Sequence, residues 1–421
     1  MATTSPNRIV TLDIVRGVAV MGILAMNIVA FAMPIQAYFN PFAYGAASTV
    51  DIAAYAFNFV LIDGKMRGLF TFLFGASMLL VIELAEAKGE SAASVTYRRQ
   101  LWLLVFGAIH FYLIWFGDIL MSYALVGMVA FFFRRLGVRA LIAWGVALLM
   151  IQLALMAASA AHVHSLAAAV SGPSPSADAI REWNGFAADF AVPSAAKLQE
   201  IMALYLGPWT GIVHEQVGEN LGDPLFFSLL FGPETLAYML FGMAALKSGF
   251  LTGAWAERRY ERIALIGFGL TIPAYAVLCV LLFRDGFTVP GIFTWYMSAT
   301  IPLRPVMVVA YAALIIDLTR NGGWLVDRIA AAGRAAFTNY LGTSLVMTFI
   351  FYGWGLGLFG SVGRAELWLV VIAMWVLMLA WSKPWLDRFC YGPFEWLWRS
   401  LARWQVQPMR KRLPNSAAAE A

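Results

Sequence analysis

Residues 12–27 read LDIVRGVAVMGILAMN, an apolar run that nevertheless carries Asp13, Arg16 and Asn27. Continued to Met33, the run is long enough to cross a hydrocarbon layer about 30 Å thick as a helix, the conformation in which a single segment satisfies its own peptide groups there. Polar side chains in such a segment face a cavity or a partner, because lipid cannot solvate them. Ala30-Phe31-Ala32 resembles a small-residue cleavage site, but Asp13 and Arg16 interrupt the start of the run, so the segment is expected to stay as the first helix.

The same reading extends outward. The 421 residues are 61% hydrophobic and 13% charged, whereas soluble domains carry about 25% charged residues. Apolar windows near 14–33, 66–84, 101–116, 119–134, 140–162, 225–247, 262–283, 298–319, 336–355 and 366–382 predict an all-α, polytopic bundle of about ten transmembrane helices forming one integral membrane domain. A β-barrel would show short alternating segments instead. The two cysteines, Cys279 and Cys390, offer neither a disulfide framework nor a thiolate metal cluster.

Basic residues sort the connections. Lys88, Arg98 and Arg99, then Arg134, Arg135 and Arg139, then Lys247, Arg258, Arg259 and Arg262, then Arg320, Arg328 and Arg334 fall on one side. The basic tail 383–421, with Arg399, Arg403, Arg410, Lys411 and Arg412, joins them, so both termini are expected in the cytoplasm of a bacterium, with the bundle in its inner membrane. The net charge of +5 therefore reads as orientation, not as a nucleic-acid surface. Residues 33–50, without lysine or arginine, and the stretch 163–224 are expected on the outer side, the latter with short interfacial helices such as AKLQEIMALYL. Residues 52–62 are too short to span and read as an interfacial or re-entrant helix that delivers Asp63, Lys65 and Arg67 to the outer mouth.

Polar residues inside apolar runs are the functional candidates. His110 lies in GAIHFYLIWFGDIL, with Asp118 on the same face if the helix continues through Gly117. A buried neutral imidazole whose tautomer a carboxylate fixes suits proton abstraction near pH 7, and the alternative is interhelical hydrogen bonding. Arg16 could snorkel, pair with Asp13 or grip phosphate. Asn27 suits helix packing or catalysis, and Glu234, after Pro233, either satisfies a kink or lines a polar pocket. Asn339, with Arg334 and Thr338, lines a nucleotide site or caps its helix. No Gly-rich phosphate loop occurs, and His162, His164, His214 and Glu215 lack metal-ligand spacing, so no metal is expected.

LDIVRGVAVMGILAMN, DGKMRGLFTFLFG, RRQLWLLVFGAIHFYLIWFGDILMSYALVG, ETLAYMLFGMAALKSG, GRAAFTNYL, FYGWGLGLFG and GPFEWLWRSL together resemble the bacterial YeiB-like family of multi-pass membrane proteins, in order and over nearly the whole chain. That family is grouped with the transmembrane acyltransferases, among them heparan-α-glucosaminide N-acetyltransferase and bacterial polysaccharide O-acylating enzymes. The resemblance implies that Leu12, Asp13, Arg16 and Gly17 form the shared opening motif. It also implies that Asn27, eleven residues after Arg16, stands where those enzymes carry an active-site asparagine or histidine. The glucosaminide enzyme's second catalytic histidine, shortly after its asparagine, has no counterpart, because residues 28–50 contain no histidine.

The leading expectation is transfer of an acyl group from cytoplasmic acyl-CoA to a glycan or a small hydroxyl or amine at the outer face. Asp13, Arg16, Arg334 and Asn339 would hold the donor and Asn27 the oxyanion. His110, oriented by Asp118, would be the base, and Asp63, Lys65, Arg67 and Glu234 would hold the acceptor. These roles require the polar residues to converge on one continuous chamber. The alternatives are a permease for a small solute and a noncatalytic lipid-binding membrane protein; membrane lipids and a second copy of the chain, as a homodimer, are the expected macromolecular partners.

Overall fold

The first helix, Val10–Ala32, is buried along most of its length, with Val15, Ala19 and Ala25 fully enclosed by its neighbours. Its closest crossing is with Trp324–Arg334, where a Cβ on Gly17 would lie 2.1 Å from the Ile329 carbonyl oxygen and one on Gly333 would lie 1.8 Å from that of Asp13. Only glycine permits that approach. The computed structural model describes residues 9–46 and 48–411. Among them there is no strand beyond an isolated bridge between Phe389 and Arg410.

Each apolar window falls largely on helix, among them Val10–Ala32, Lys65–Ala87, Ala92–Leu113, Leu120–Ala130, Glu257–Arg284, Ala336–Phe351 and Leu367–Arg388. Five described segments are long and apolar enough to cross a membrane, and two bent pairs raise that to seven. Val138–Val170 and Glu257–Arg284 turn Ile142, Trp144, Leu265, Ile266 and Leu270 outward. Such a surface fits hydrocarbon and not water, so the chain is a multi-pass membrane protein.

The bent pairs are Asp223–Leu230 with Gly232–Lys247, at 60°, and Val289–Ser298 with Leu303–Leu318, at 46°. Pro233 opens the second half of the first pair, where its missing N–H is harmless, and does not kink a continuous helix. Thr49–Phe57, continued by the wider turn Asn58–Ile62, enters the bundle: Asn58 donates to the Ala25 carbonyl at 3.1 Å and the Tyr311 hydroxyl donates to that of Leu61 at 2.8 Å. It stops at Asp63 and Gly64, whose φ of 69° glycine adopts without strain, before Lys65–Ala87 begins.

The basic loops gather at one end. Lys247 donates to the carbonyls of Arg134 (2.7 Å) and Leu136 (2.8 Å), and the Trp398 indole donates to that of Arg99 (2.9 Å). At the other end the Trp209 indole donates to the Leu113 carbonyl at 2.7 Å, and the Gly353 N–H donates to that of Tyr205 at 2.8 Å. Val138–Val170 runs past the expected end near 162 into the stretch 163–224, which continues as Ala177–Phe190, Ala195–Tyr205 and Trp209–Gly218. In the tail, Pro393–Arg403 folds back on the basic end, while Arg412 lies outside the described residues.

Candidate functional site

Two chambers lie inside the bundle. The first, about 290 Å³, is lined by Asn27, Asp63, Arg67, Gln152, Glu234 and Arg304 among aromatic and aliphatic walls. Its centre is an ion pair built by the two bent helices. Glu234 sits in the first turn of Gly232–Lys247, where the helix dipole favours a carboxylate. Arg304, near the start of Leu303–Leu318, donates to Glu234 Oε1 at 2.7 Å and to the Thr300 hydroxyl at 2.6 Å. Arg67 reaches Glu234 Oε2 at 3.4 Å, and Asp63 accepts from the Tyr38 hydroxyl at 2.8 Å. Arg304 is not among the residues expected at a site, and its one signal in the sequence is an arginine between Pro302 and Pro305 in an apolar run.

The second chamber, about 460 Å³, lies at the basic end and is ringed by Arg16, Arg99, Arg334 and Arg399, with Phe70, Phe74, Leu103 and Leu120 behind them. Arg16 reaches Asp13 at 3.4 Å and donates to the Ser77 hydroxyl at 2.5 Å. The tail helix closes one side. Its Glu395 accepts from the N–H groups of Phe337 (2.6 Å) and Thr338 (3.1 Å) and from the Thr338 hydroxyl (2.5 Å), at the start of Ala336–Phe351. Burial pushes the Glu395 carboxyl above the usual glutamate range, against the opposite pull of these donors.

His110 lines neither chamber. The helix that carries it ends at Leu113, where the N–H groups of Ile114 and Trp115 both donate to the His110 carbonyl (3.0 and 2.8 Å). The chain then doubles back, so the expected same-face spacing gives way to a hairpin. Asp118 returns to accept from His110 Nδ1 at 2.8 Å through one oxygen and from the Met121 N–H at 2.8 Å through the other. The imidazole is fully buried between Tyr340 and Trp115, at 5.2 and 6.2 Å between ring centres, and Nε2 has no hydrogen-bond partner among the described residues.

This pair stands in the partition between the chambers. Ile119 lines one chamber and Leu120 the other. A void of about 10 Å³ joins Ile23, Asn27 and Trp115, which also face the mixed-charge chamber, to Tyr340, which also faces the arginine chamber. The expectation of one chamber running continuously past Arg16, His110 and Asn27 is therefore corrected: among the described residues Arg16 and Asn27 line different chambers and His110 lines neither.

Two other candidates lie elsewhere. Lys65, two positions before Arg67 and so on a different helix face, is fully enclosed, with its ammonium 3.4 Å from the centre of the Tyr275 ring. Asn339 spends its amide on the Ala332 carbonyl (3.0 Å), the Ser382 hydroxyl (3.2 Å) and the Trp381 indole (2.9 Å), which makes it a joint between helices. On the expected outer side His162 meets Glu182 at 2.7 Å and His164 meets Thr294 at 3.0 Å.

The chain is 32% identical to the uncharacterized protein YxaH of Bacillus subtilis (strain 168), over 97% of this chain and 98% of the relative. It is 34% identical to the uncharacterized protein YeiB of Escherichia coli (strain K12), over 94% and 96%. The chain belongs to the YeiB-like family. Residues 245–405 match the family described as "Protein of unknown function (DUF418)", a stretch that supplies Arg304 to one chamber and Arg334, Glu395 and Arg399 to the other. A more distant relative, the uncharacterized 39.9 kDa protein in the amylase 3′ region of Bacillus acidopullulyticus, is 24% identical over 94% of this chain and 93% of its own. Each of these three relatives is matched over nearly its whole length. No solved structure matches it.

Proposed function

We propose that this protein carries an acyl group across a bacterial inner membrane, from a phosphate-bearing thioester such as acyl-CoA in the arginine chamber to a hydroxyl or amine in the mixed-charge chamber. One observation carries the reading: two chambers that each hold charged side chains among apolar walls lie back to back, and the void between them touches Asn27 on one side and Tyr340 on the other, beside a buried histidine held by a carboxylate. In this reading the basic loops face the cytoplasm, so that the arginine chamber and both termini lie at that end, and about ten segments cross the membrane.

In this reading Asp118, 2.8 Å from Nδ1, accepts a hydrogen bond from Nδ1–H and so leaves Nε2 as the basic lone pair. With Trp115 or Tyr340 turned aside, Nε2 takes the proton of the acceptor as its oxygen or nitrogen attacks the thioester carbonyl. The Asn27 amide donates to the oxyanion, the carbon–sulfur bond breaks, and the proton passes to the departing thiolate. Arg16, paired with Asp13, and Arg334 meet the donor phosphates, while Asp63, Arg67 and Glu234 face the acceptor. Lys65 and Asn339 serve the scaffold.

The test supplies radiolabelled acetyl-CoA to the cytoplasmic face of inside-out vesicles and measures label on acceptors in the lumen. His110→Ala, checked for folding by its melting curve, is expected to lower transfer by about 10²–10⁴-fold. Unchanged transfer by the folded variant overturns the assignment.

A second reading has its own observation. Two bent helix pairs bring Glu234 and Arg304 together, the construction by which transporters build midplane sites. Solute counterflow in proteoliposomes without acyl transfer would favour a permease.

A further inference from the structure

We propose that Arg99 and Arg399 form a clamp for a diphosphate group, and that the C-terminal helix Pro393–Arg403 is the detachable half of that clamp. The inference rests on the arginine chamber being the donor side, but it concerns binding and stands apart from any turnover.

Two of the chamber's arginines carry charge that no carboxylate answers among the described residues. Four arginines line the chamber, together with two carboxylates. Both carboxylates are committed elsewhere: Asp13 pairs with Arg16, and Glu395 accepts from the first N–H groups of Ala336–Phe351. Arg99 and Arg399 have neither a carboxylate within ion-pair distance nor a side-chain hydrogen bond among the described residues. What holds them is aromatic. The Arg99 guanidinium lies 4.0 Å from the centre of the Trp398 ring, and that of Arg399 lies 4.7 Å from the centre of Tyr391.

A guanidinium whose charge rests over an aromatic ring spends none of its N–H donors on a hydrogen bond there, and their fork matches the oxygens of a phosphate. Two such groups bordering one cavity leave an excess of donors and of positive charge. A ligand with two linked phosphates answers both.

The two halves come from different parts of the chain. Arg99 is on Ala92–Leu113, and Arg399 follows Trp398 on the tail helix. The tail is fixed by the Trp398 indole donating to the Arg99 carbonyl and by Glu395 at the start of Ala336–Phe351. Undocking it removes Arg399 and the platform under Arg99 together. Diphosphate binding and tail docking are therefore coupled, each strengthening the other by the same factor.

The experiment titrates detergent-purified full-length protein with coenzyme A, ADP and inorganic pyrophosphate by calorimetry. All three are expected to bind the wild type and to compete with one another. Arg99→Gln or Arg399→Gln should weaken each by about tenfold or more. Glu395→Ala should do the same without touching either arginine, and Arg98→Gln, an exposed neighbour, should change nothing. Melting curves verify that each variant is folded.

Wild-type protein that binds none of the probes overturns the inference, and so does undiminished binding by the folded Arg99 and Arg399 variants. Undiminished binding by folded Glu395→Ala overturns the role of the tail. Displacement by phosphatidylglycerol in nanodiscs, with no effect of pyrophosphate or ADP, also overturns it, since the clamp would then hold a lipid's single phosphate. Diphosphate binding without acyl transfer sinks the proposed activity and leaves the clamp standing.

Discussion

Glu234 shows what a carboxylate within an apolar bundle requires. It is 2% exposed, and it persists there because Arg304 meets one oxygen, Arg67 approaches the other and a helix start lies beneath it. Removing one partner of such a pair leaves a buried charge unanswered, a loss of about 3–5 kcal/mol, whereas replacing both by apolar groups is close to neutral. Arg304→Met leaves Glu234 only the longer contact to the partly exposed Arg67 and should therefore destabilise the protein by up to about 3 kcal/mol. Glu234→Met with Arg304→Met should recover most of it, as read from unfolding in mixed micelles; equal losses in the single and double variants would contradict the pairing. At this scale the sequence was only partly informative. The partnership of His110 with Asp118 was legible because both are rare in apolar runs and lie close in the chain, although a hairpin and not one helix face makes it. Arg304 was passed over, and the roles of Lys65 and Asn339 depend on Tyr275, Ser382 and Trp381, partners distant in sequence that spacing along one helix does not reveal.

Among the helices, the tightest crossings are made by glycines. A Cβ on Gly242 would lie 1.7 Å from the Phe72 carbonyl oxygen, and one on Gly75 would lie 2.1 Å from that of Met239, so Lys65–Ala87 and Gly232–Lys247 meet backbone to backbone. Gly242→Leu has no flexible neighbour to displace. It should cost at least about 1–3 kcal/mol by overpacking, measured as a lower melting temperature in detergent. Because the crossing also supports Glu234, the same variant should loosen the mixed-charge chamber; a wild-type melting curve would show that the helices are not held this closely. The helices themselves were largely legible, since an apolar run of sufficient length announces one without help from its surroundings. The bends were less so. Pro233 and the Pro302–Pro305 stretch marked the interruptions, yet whether a proline kinks a helix or begins one depends on the loop before it.

For the whole molecule, the gathering of the basic loops at one end gives a test of orientation. A green fluorescent protein fused after the C-terminus should fluoresce, and alkaline phosphatase inserted near Gly222 should be active. The reverse result would place the arginine chamber on the outer side and exclude a cytoplasmic donor. The expected single chamber failed for a reason that belongs to this scale: rarity of charge marks which residues avoid lipid, but not whether the spaces they line connect. The partition between the chambers also has an electrical consequence. If water fills both spaces, the membrane voltage drops chiefly over the short dry barrier around His110, Trp115 and Tyr340. A charge carried through that barrier would then feel most of the potential, about 2.3 kcal/mol for each 100 mV. The chain would act there as a thin insulator, and any step that moves a proton through it would depend on the energised state of the cell.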